Sequence, residues 1–543
     1  MHDDMKKIFS IILVSVALAG CSLADKIGLD KTSPDSMSGE FVTKTQEGLR
    51  MLINGVYDDL QSSAYYGANL YLYEAVHSPD FFQRNVVGGF AYRLENRFST
   101  GSRTNGNARN LWLKCYNVIR NTTIIIESID DVDGDVDALR LIKGEAYALR
   151  ALAYFDLLRV FAYPPKFSCS WGSSYIAPPE DPANYDPDAT PYRSNTEYYC
   201  WGVPLVNTMD MAYNVLDHKI YRATADECWT FVRDEFERSY NLLQGRSTES
   251  GHVNAAAVLA LRQRVALYME DYASVILLGL EWINNYEANY SLIPYDSYPS
   301  QYWVNGNSEK IWELNYTEND NLDSSSINYW CRKQTYDDDP NSPLDGTLKA
   351  NIGYAKLGLT FGHENMGYEQ LTKYPNDIRQ HLICDLGVPG TGYKAIRKYV
   401  GHPYHFIHNV PIVRLPEIYL NMAEAYAQRA NTTMASEYLS KITEIRRKAI
   451  VTNPTVNDIL DERRREFILE GQTYFDYFRN GRSITGRQII ECITSTSSIT
   501  FGKGGTYRAV YPLPLAELNA NPCIRNQQNP GYAAWYLEIE EEE

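Results

Sequence analysis

Three glutamates stand four residues apart, at Glu462, Glu466 and Glu470. On a helix that spacing stacks them on one stripe, where like charges repel by about 0.2–0.5 kcal/mol per pair. Two kinds of chemistry use such a stripe. A carboxylate pair can act as general acid and base, or the carboxylates can form a ladder of ion pairs that fixes how helices register. Arg414, Arg446, Arg463, Arg465 and Arg479 are the available counter-charges. No nearby His, Lys or glycine-rich turn completes a catalytic set, so the ladder is the expectation. His402, His405 and His408 invite a metal reading. Pro403 and Pro411 argue against a helix there, and in an extended chain His405 points away from the other two. The sequence therefore calls for no metal and no cofactor. The run Gly387 to Lys394 departs from a phosphate loop, because its lysine does not directly follow the last glycine and no Ser or Thr follows it. Neither a nucleophile elbow nor a His-Glu-x-x-His motif is present. A glycosidase can place its two carboxylates far apart in sequence, so a glycoside hydrolase stays open as an alternative to a non-enzyme.

The elements around the stripe are helical. From Pro416 onward, Ile418, Met422, Ala425 and Tyr426 fall on one face of a 3.6-residue helix, and Ala423 and Ala427 let a neighbour come close. The pattern breaks at Asn431 and resumes at Tyr438, Leu439, Ile442 and Ile445, which predicts a helical hairpin. A third helix is expected from Asp458, as N-cap, to the stop at Asn480-Gly481. Leu139 to Phe161 is a second strong helix, and Phe41 to Gln61, Ala223 to Gly245 and Val253 to Tyr286 are others. Gly144-x2-Tyr147 and Ala151-x3-Phe155 are fragments of the tetratricopeptide pattern, echoed at Leu261 to Ile283 and Leu420 to Ile445. The fold class that follows is mainly α with minor β. It is a tetratricopeptide-like helical-repeat scaffold with a loop-rich side. Residues 41–543 read as one such domain.

Composition narrows the partners. The net charge is −17, which argues against nucleic acid, since phosphate binding needs a basic face. Tyrosine is over-used, with 43 Tyr against 17 Phe and 9 Trp. A ring that carries a hydroxyl suits a wet, polar ligand surface.

At the amino terminus, Lys6-Lys7 precedes an apolar run from Ile8 to Ala19, too short to span a bilayer. Leu18-Ala19-Gly20-Cys21 matches a bacterial lipobox. Residues 1–20 are thus expected to be a lipoprotein signal peptide, Cys21 the lipidated residue and 21–40 a tether.

The stretch Glu462 to Gly481 (ERRREFILEGQTYFDYFRNG) resembles the carboxy-terminal signature of the SusD/RagB family, and Pro411 to Tyr426 (PIVRLPEIYLNMAEAY) is similar to the segment before it. Further points of similarity are the turn at His77 to Asp80, Trp112 to Asn121, Trp201 to Leu205, Ser308 to Glu313, Asp377 to Arg379, and the closing segments Tyr511 to Pro522 and Gln528 to Tyr532. The resemblance implies a surface-exposed lipoprotein, anchored in the outer membrane. It would bind an oligosaccharide or polysaccharide and deliver it to a SusC-like TonB-dependent transporter. Peptide binding, as in RagB-like members, is the alternative within the family. A helical-repeat scaffold that binds only proteins is the alternative outside it. The chain departs from the family pattern at Pro164 to Cys200, an insertion with seven prolines. Its ends carry Cys169 and Cys200. Beyond the inner membrane a disulfide is permitted, and these two are the pair expected to form one.

Sugars present C–H faces and hydroxyl edges, so their sites need aromatic planes beside amide, carboxylate or guanidinium groups. Two loop regions supply both. The first, Phe81 to Asn107, holds Arg84, Tyr92 and Asn96, with Asp80 at its start. The second, Tyr302 to Tyr336, holds Trp303, Asn328, Trp330 and Arg332. Trp303 or Trp330 is expected as the stacking platform, and Arg84 with Asp80 as the groups that hold hydroxyls.

Overall fold

The computed structural model describes residues 39–83, 105–168, 201–213, 218, 220–331, 357–362, 364, 366–385, 393–399, 407–489, 492–501, 509–525, 527–529 and 532. Cys21, Arg84, Tyr92, Asn96, Cys169, Cys200 and Arg332 lie outside the described residues, as do His402 and His405.

The architecture is mainly helical with small two-stranded sheets. After a short helical turn at Gly39–Lys44, helix α1 spans Gln46–Gln61. Thr45 caps it by accepting the Gly48 N–H, and Leu49, Ile53, Val56 and Leu60 form its buried face. Helix α2 (Asn69–His77) is buried along its whole length. Helix α3 (Gly106–Ser128) and helix α4 (Val136–Phe161) follow, capped by Asn105 and Asp135. A capping box of Thr224 and Glu227 starts α5 (Ala225–Leu243). The long helix expected over 253–286 is two helices, α6 (Ala255–Tyr268) and α7 (Tyr272–Tyr286). Glu270 takes a positive φ of 58° between them, and Asp271 caps α7 through the Ser274 N–H. Helix α8 is the short Ile327–Cys331. The expected hairpin is present as α9 (Leu415–Gln428) and α10 (Thr432–Arg447), with Asn431 capping α10.

The third helix of that region differs from expectation. It is α11 (Val456–Glu466) followed by α12 (Thr473–Asn480). Thr455 is the N-cap, and Asp458 is the third residue of a capping box rather than the cap. Leu469 and Gly471 both adopt positive φ, 61° and 69°, so the chain turns between the two helices. At Gly471 an added Cβ would meet the Tyr71 ring at 2.8 Å. Gly481 ends α12 in the left-handed conformation, as the Asn-Gly pair predicted.

The helices stack in series. α1 packs on α3, α3 on α4, α4 on α5, α5 on α6, α6 on α7, α7 on α9, and α9 on both α10 and α11. Gly144 makes the α4–α5 approach possible. A Cβ there would lie 2.7 Å from Leu243 Cδ2, and its carbonyl accepts the Ser239 hydroxyl at 2.7 Å.

Short strand pairs sit beside this stack. β1 (Phe81–Gln83) continues from α2 through the turn Ser78–Asp80. β2 (Lys310–Leu314) pairs antiparallel with β6 (Val410–Arg414), β1 with β3 (Leu357–Leu359), and β4 (Ile383–Asp385) with β5 (Lys394–Ile396). In the β1–β3 register Gln83 lies opposite Leu357. The chain therefore leaves for residues 84–104 at the same edge where it returns from 332–356.

Candidate ligand-binding face

The glutamate stripe is a buried ion network. Glu466 is 0% exposed and faces three guanidinium groups. Its Oε1 accepts from Arg414 and Arg446 at 3.1 Å each, and its Oε2 from Arg446 at 3.0 Å and Arg379 at 3.2 Å. Glu462 pairs with Arg379 at 2.5 Å and Arg465 at 2.7 Å. Glu470, off the helix in the turn, pairs with Arg414 at 2.7 Å and with Lys398. Glu309 of the segment before β2 joins through Arg414 and Arg446. Arg463 and Arg479, counted as partners from sequence, serve a neighbouring set instead: Arg463 binds Asp476 and Arg479 binds Glu424.

The same network holds the bend between α11 and α12. Lys398 donates to the carbonyls of Glu466 and Ile468, Tyr399 to that of Leu469, Arg414 to that of Glu466, and Arg159 to that of Gly471. Those donors take up carbonyls that a continuing helix would have satisfied itself.

The electrostatics of the stripe is that of carboxylates held ionised by guanidiniums. Burial alone would raise these carboxyls, but the guanidiniums outweigh it. Arg379, Arg465 and Arg447 hold Glu462 down to about 2, and Arg446, Arg414 and Arg379 hold Glu466 well below the usual carboxylate range. A general acid or base at neutral pH needs the opposite displacement.

One sequence-predicted site residue belongs to this scaffold. Asp80 is 1% exposed, and its Oδ1 lies 2.6 Å from Arg464 Nη2. Its backbone carbonyl accepts the Thr360 N–H at 2.9 Å, which fixes the start of β1 against the end of β3. Asp80 thus departs from the hydroxyl-holding surface role expected of it, because α11 supplies a buried cation 384 residues away in sequence.

Of the remaining described candidates, Asn328 and Trp330 lie on α8, and Trp303 lies on a separate segment. α8, which leads into 332–356, packs on α2 and β3. Trp330 is 8% and Asn328 1% exposed, and among the described residues neither amide atom of Asn328 has a hydrogen-bond partner. Tyr329 between them is half-buried. Trp303 is half-buried on a neighbouring segment. Asn409 joins that segment to the rest by donating its N–H to Asn305 Oδ1 at 3.3 Å, and the neighbouring His408 ring centroid lies 5.3 Å from that of Tyr399. Burial, aided by Lys310, holds His408 down to about 3. Sequence reasoning missed an aromatic group at the β1–β3 pair. Phe82 meets Tyr393 edge-on at 5.5 Å, and Tyr393 meets Phe361 at 5.6 Å. Phe361 and Tyr393 are half-buried. The Phe81-Phe82 doublet, at the start of the first loop region, was the available signal.

Residues 29–267 match a family described as "Starch-binding associating with outer membrane", and residues 402–532 match the SusD family. SusD-like protein P38 of Formosa agariphila is 23% identical over 97% of this chain and 99% of its own length. The starch-binding protein SusD of Bacteroides thetaiotaomicron is 32% identical over a segment covering 26% of this chain and 24% of that protein. The crystal structure of a SusD superfamily protein from Bacteroides thetaiotaomicron superposes with a TM-score of 0.71 at 25% identity, over 90% of this chain and all of the other.

Proposed function

Since this chain belongs to the SusD/RagB family, we propose that it is a non-catalytic, cell-surface glycan-binding lipoprotein. It captures an oligosaccharide or polysaccharide on its loop side and passes it to a SusC-like TonB-dependent transporter. The observation that supports this reading is that α8, inside the second candidate region, packs on α2 and on β3, the partner of the β1 strand where the first region begins, with half-buried rings at Tyr329, Phe361 and Tyr393. A rigid helical stack that displays loops with aromatic planes fits the ligand chemistry sugars demand. The absence of catalysis is supported by the buried carboxylates of the stripe, which guanidiniums keep ionised. Affinity electrophoresis tests the reading. The purified protein should be retarded in native gels that contain a neutral polysaccharide, with no reducing ends released. Unretarded migration with every glycan, together with binding to peptides, would replace it with the peptide reading.

Anchoring through Cys21 completes the proposal. The lipobox motivates it: the thiol takes the lipid, and the small residues before it let the signal peptidase cut the leader. Cys21→Ala protein should leave the membrane fraction for the soluble one. A variant that stayed membrane-bound and lipid-labelled would overturn the anchor.

A further inference from the structure

Buried carboxyls are abundant in this fold, and almost all have a cation in contact. Asp80 has Arg464, Asp156 has Arg159, Glu235 has Arg150, Glu417 has Arg264, and Asp476 has Arg463 and Arg479. Among the described residues Glu74 is the buried carboxyl without one. It is 1% exposed in the middle of α2. Its Oε1 accepts the Tyr474 N–H at 2.9 Å, across 400 residues of sequence, and its Oε2 has no partner among the described residues.

Its surroundings favour the neutral acid. From α12, Asp476 faces it, and from the α2–β1 turn, Asp80 does; both are negative. From α4 the nearest cation is Arg159, which is engaged with Asp156 and the Gly471 carbonyl. On α2 itself the titratable neighbours are Tyr71, whose hydroxyl donates to the Pro411 carbonyl, Tyr73, and His77, which is bonded through Nδ1 to the Tyr73 carbonyl. On α12 Tyr474 contributes only its backbone N–H, its hydroxyl being given to the Ala509 carbonyl. α3 and α8 also pack on α2, and among the described residues neither brings an ion pair to Glu74. A carboxyl taken out of water with one donor and no counter-charge keeps its proton instead of ionising. Burial, with Asp80 and Asp476 adding to it against the Tyr474 N–H, pushes Glu74 up to about 8.

The position gives this consequence beyond stability. α2 runs directly into β1, and Glu74 joins α2 to the first turn of α12. We propose that Glu74 is a neutral acid in the folded protein and that losing its proton loosens the α2–α12 joint beneath the β1–β3 pair, a pH-sensitive device under the loop roots. The sign follows from linkage. Glu74 binds its proton more tightly folded than unfolded, so its contribution is fully present below the ordinary glutamate range near 4.5. It declines as the pH rises and is lost above about 8.

Urea unfolding of the protein and of Glu74→Gln, from pH 5 to about pH 9, tests this. The protein's midpoint should fall relative to that of Glu74→Gln as the pH rises, and the two should converge at the acid end. Parallel profiles would overturn the proposal. Infrared spectroscopy of the unmutated protein provides an arm that does not depend on the variant folding. A protonated-carboxyl band should persist at neutral pH and vanish in alkali, and its absence at neutral pH would equally overturn the proposal.

Discussion

Glu466→Gln lowers the unfolding free energy by about 3–5 kcal/mol, the usual cost of breaking one partner out of a buried ion pair. The reason lies in the donors around it. Arg379, Arg414 and Arg446 are all buried and all point N–H groups at the Glu466 oxygens. An amide keeps one acceptor, but turns an N–H₂ toward a guanidinium and leaves buried positive charge uncompensated. Because Glu466 lies inside the scaffold, saccharide affinity of the folded variant should stay within about twofold. Denaturant unfolding and calorimetric titration read the two quantities separately. A variant of unchanged stability that lost binding would move Glu466 from scaffold to site. The same network predicts acid lability. Glu462, held down to about 2, and Glu466 are more acidic folded than unfolded. Their stabilisation is present above the ordinary glutamate range and is lost as the pH falls toward 2.

Trp303→Ala and Trp330→Ala weaken saccharide binding by different routes. Trp303 is half-buried, so part of the side chain remains open to solvent. Losing an aromatic anchor costs about 2 kcal/mol or more, which is well over tenfold in affinity, and Trp303→Ala should show this with little loss of stability. Trp330 is 8% exposed and packed in the core under the loop roots. Trp330→Ala should cost about 3–5 kcal/mol of stability as a cavity-forming change, with weaker binding as a consequence of disordered support. If both variants fold and bind like the parent, the platform lies elsewhere, and Tyr393 and Phe361 become its next candidates.

The helices were legible where apolar spacing was sustained. α4, α9 and α10 came out close to their expected bounds because their buried faces recur every three or four residues. The break between α11 and α12 was not legible. Locally the run still reads as helix, and the donors that hold its carbonyls, Lys398, Tyr399, Arg414 and Arg159, come from far along the chain. Arg379 was noticed only as part of a small turn, although it bridges Glu462 and Glu466, 83 and 87 residues away. Asp80 misled for the same reason: a short polar turn before a loop looks like a surface site until its buried partner Arg464 is known. Of the candidate face, the sequence marked the two loop regions by composition but could not show that β1, where the first begins, pairs with β3, or that α8 of the second packs on that same strand.

Hydrogen exchange with and without bound saccharide tests the central claim most directly, because it reports which side of the helical stack the ligand covers. On adding a saccharide that retards the protein in gels, amides of 81–83, 302–304, 327–331 and 357–361 should become protected, while those of α5, α6 and α10 exchange as before. Protection confined to the helical side, with the loop roots unchanged, would contradict the account.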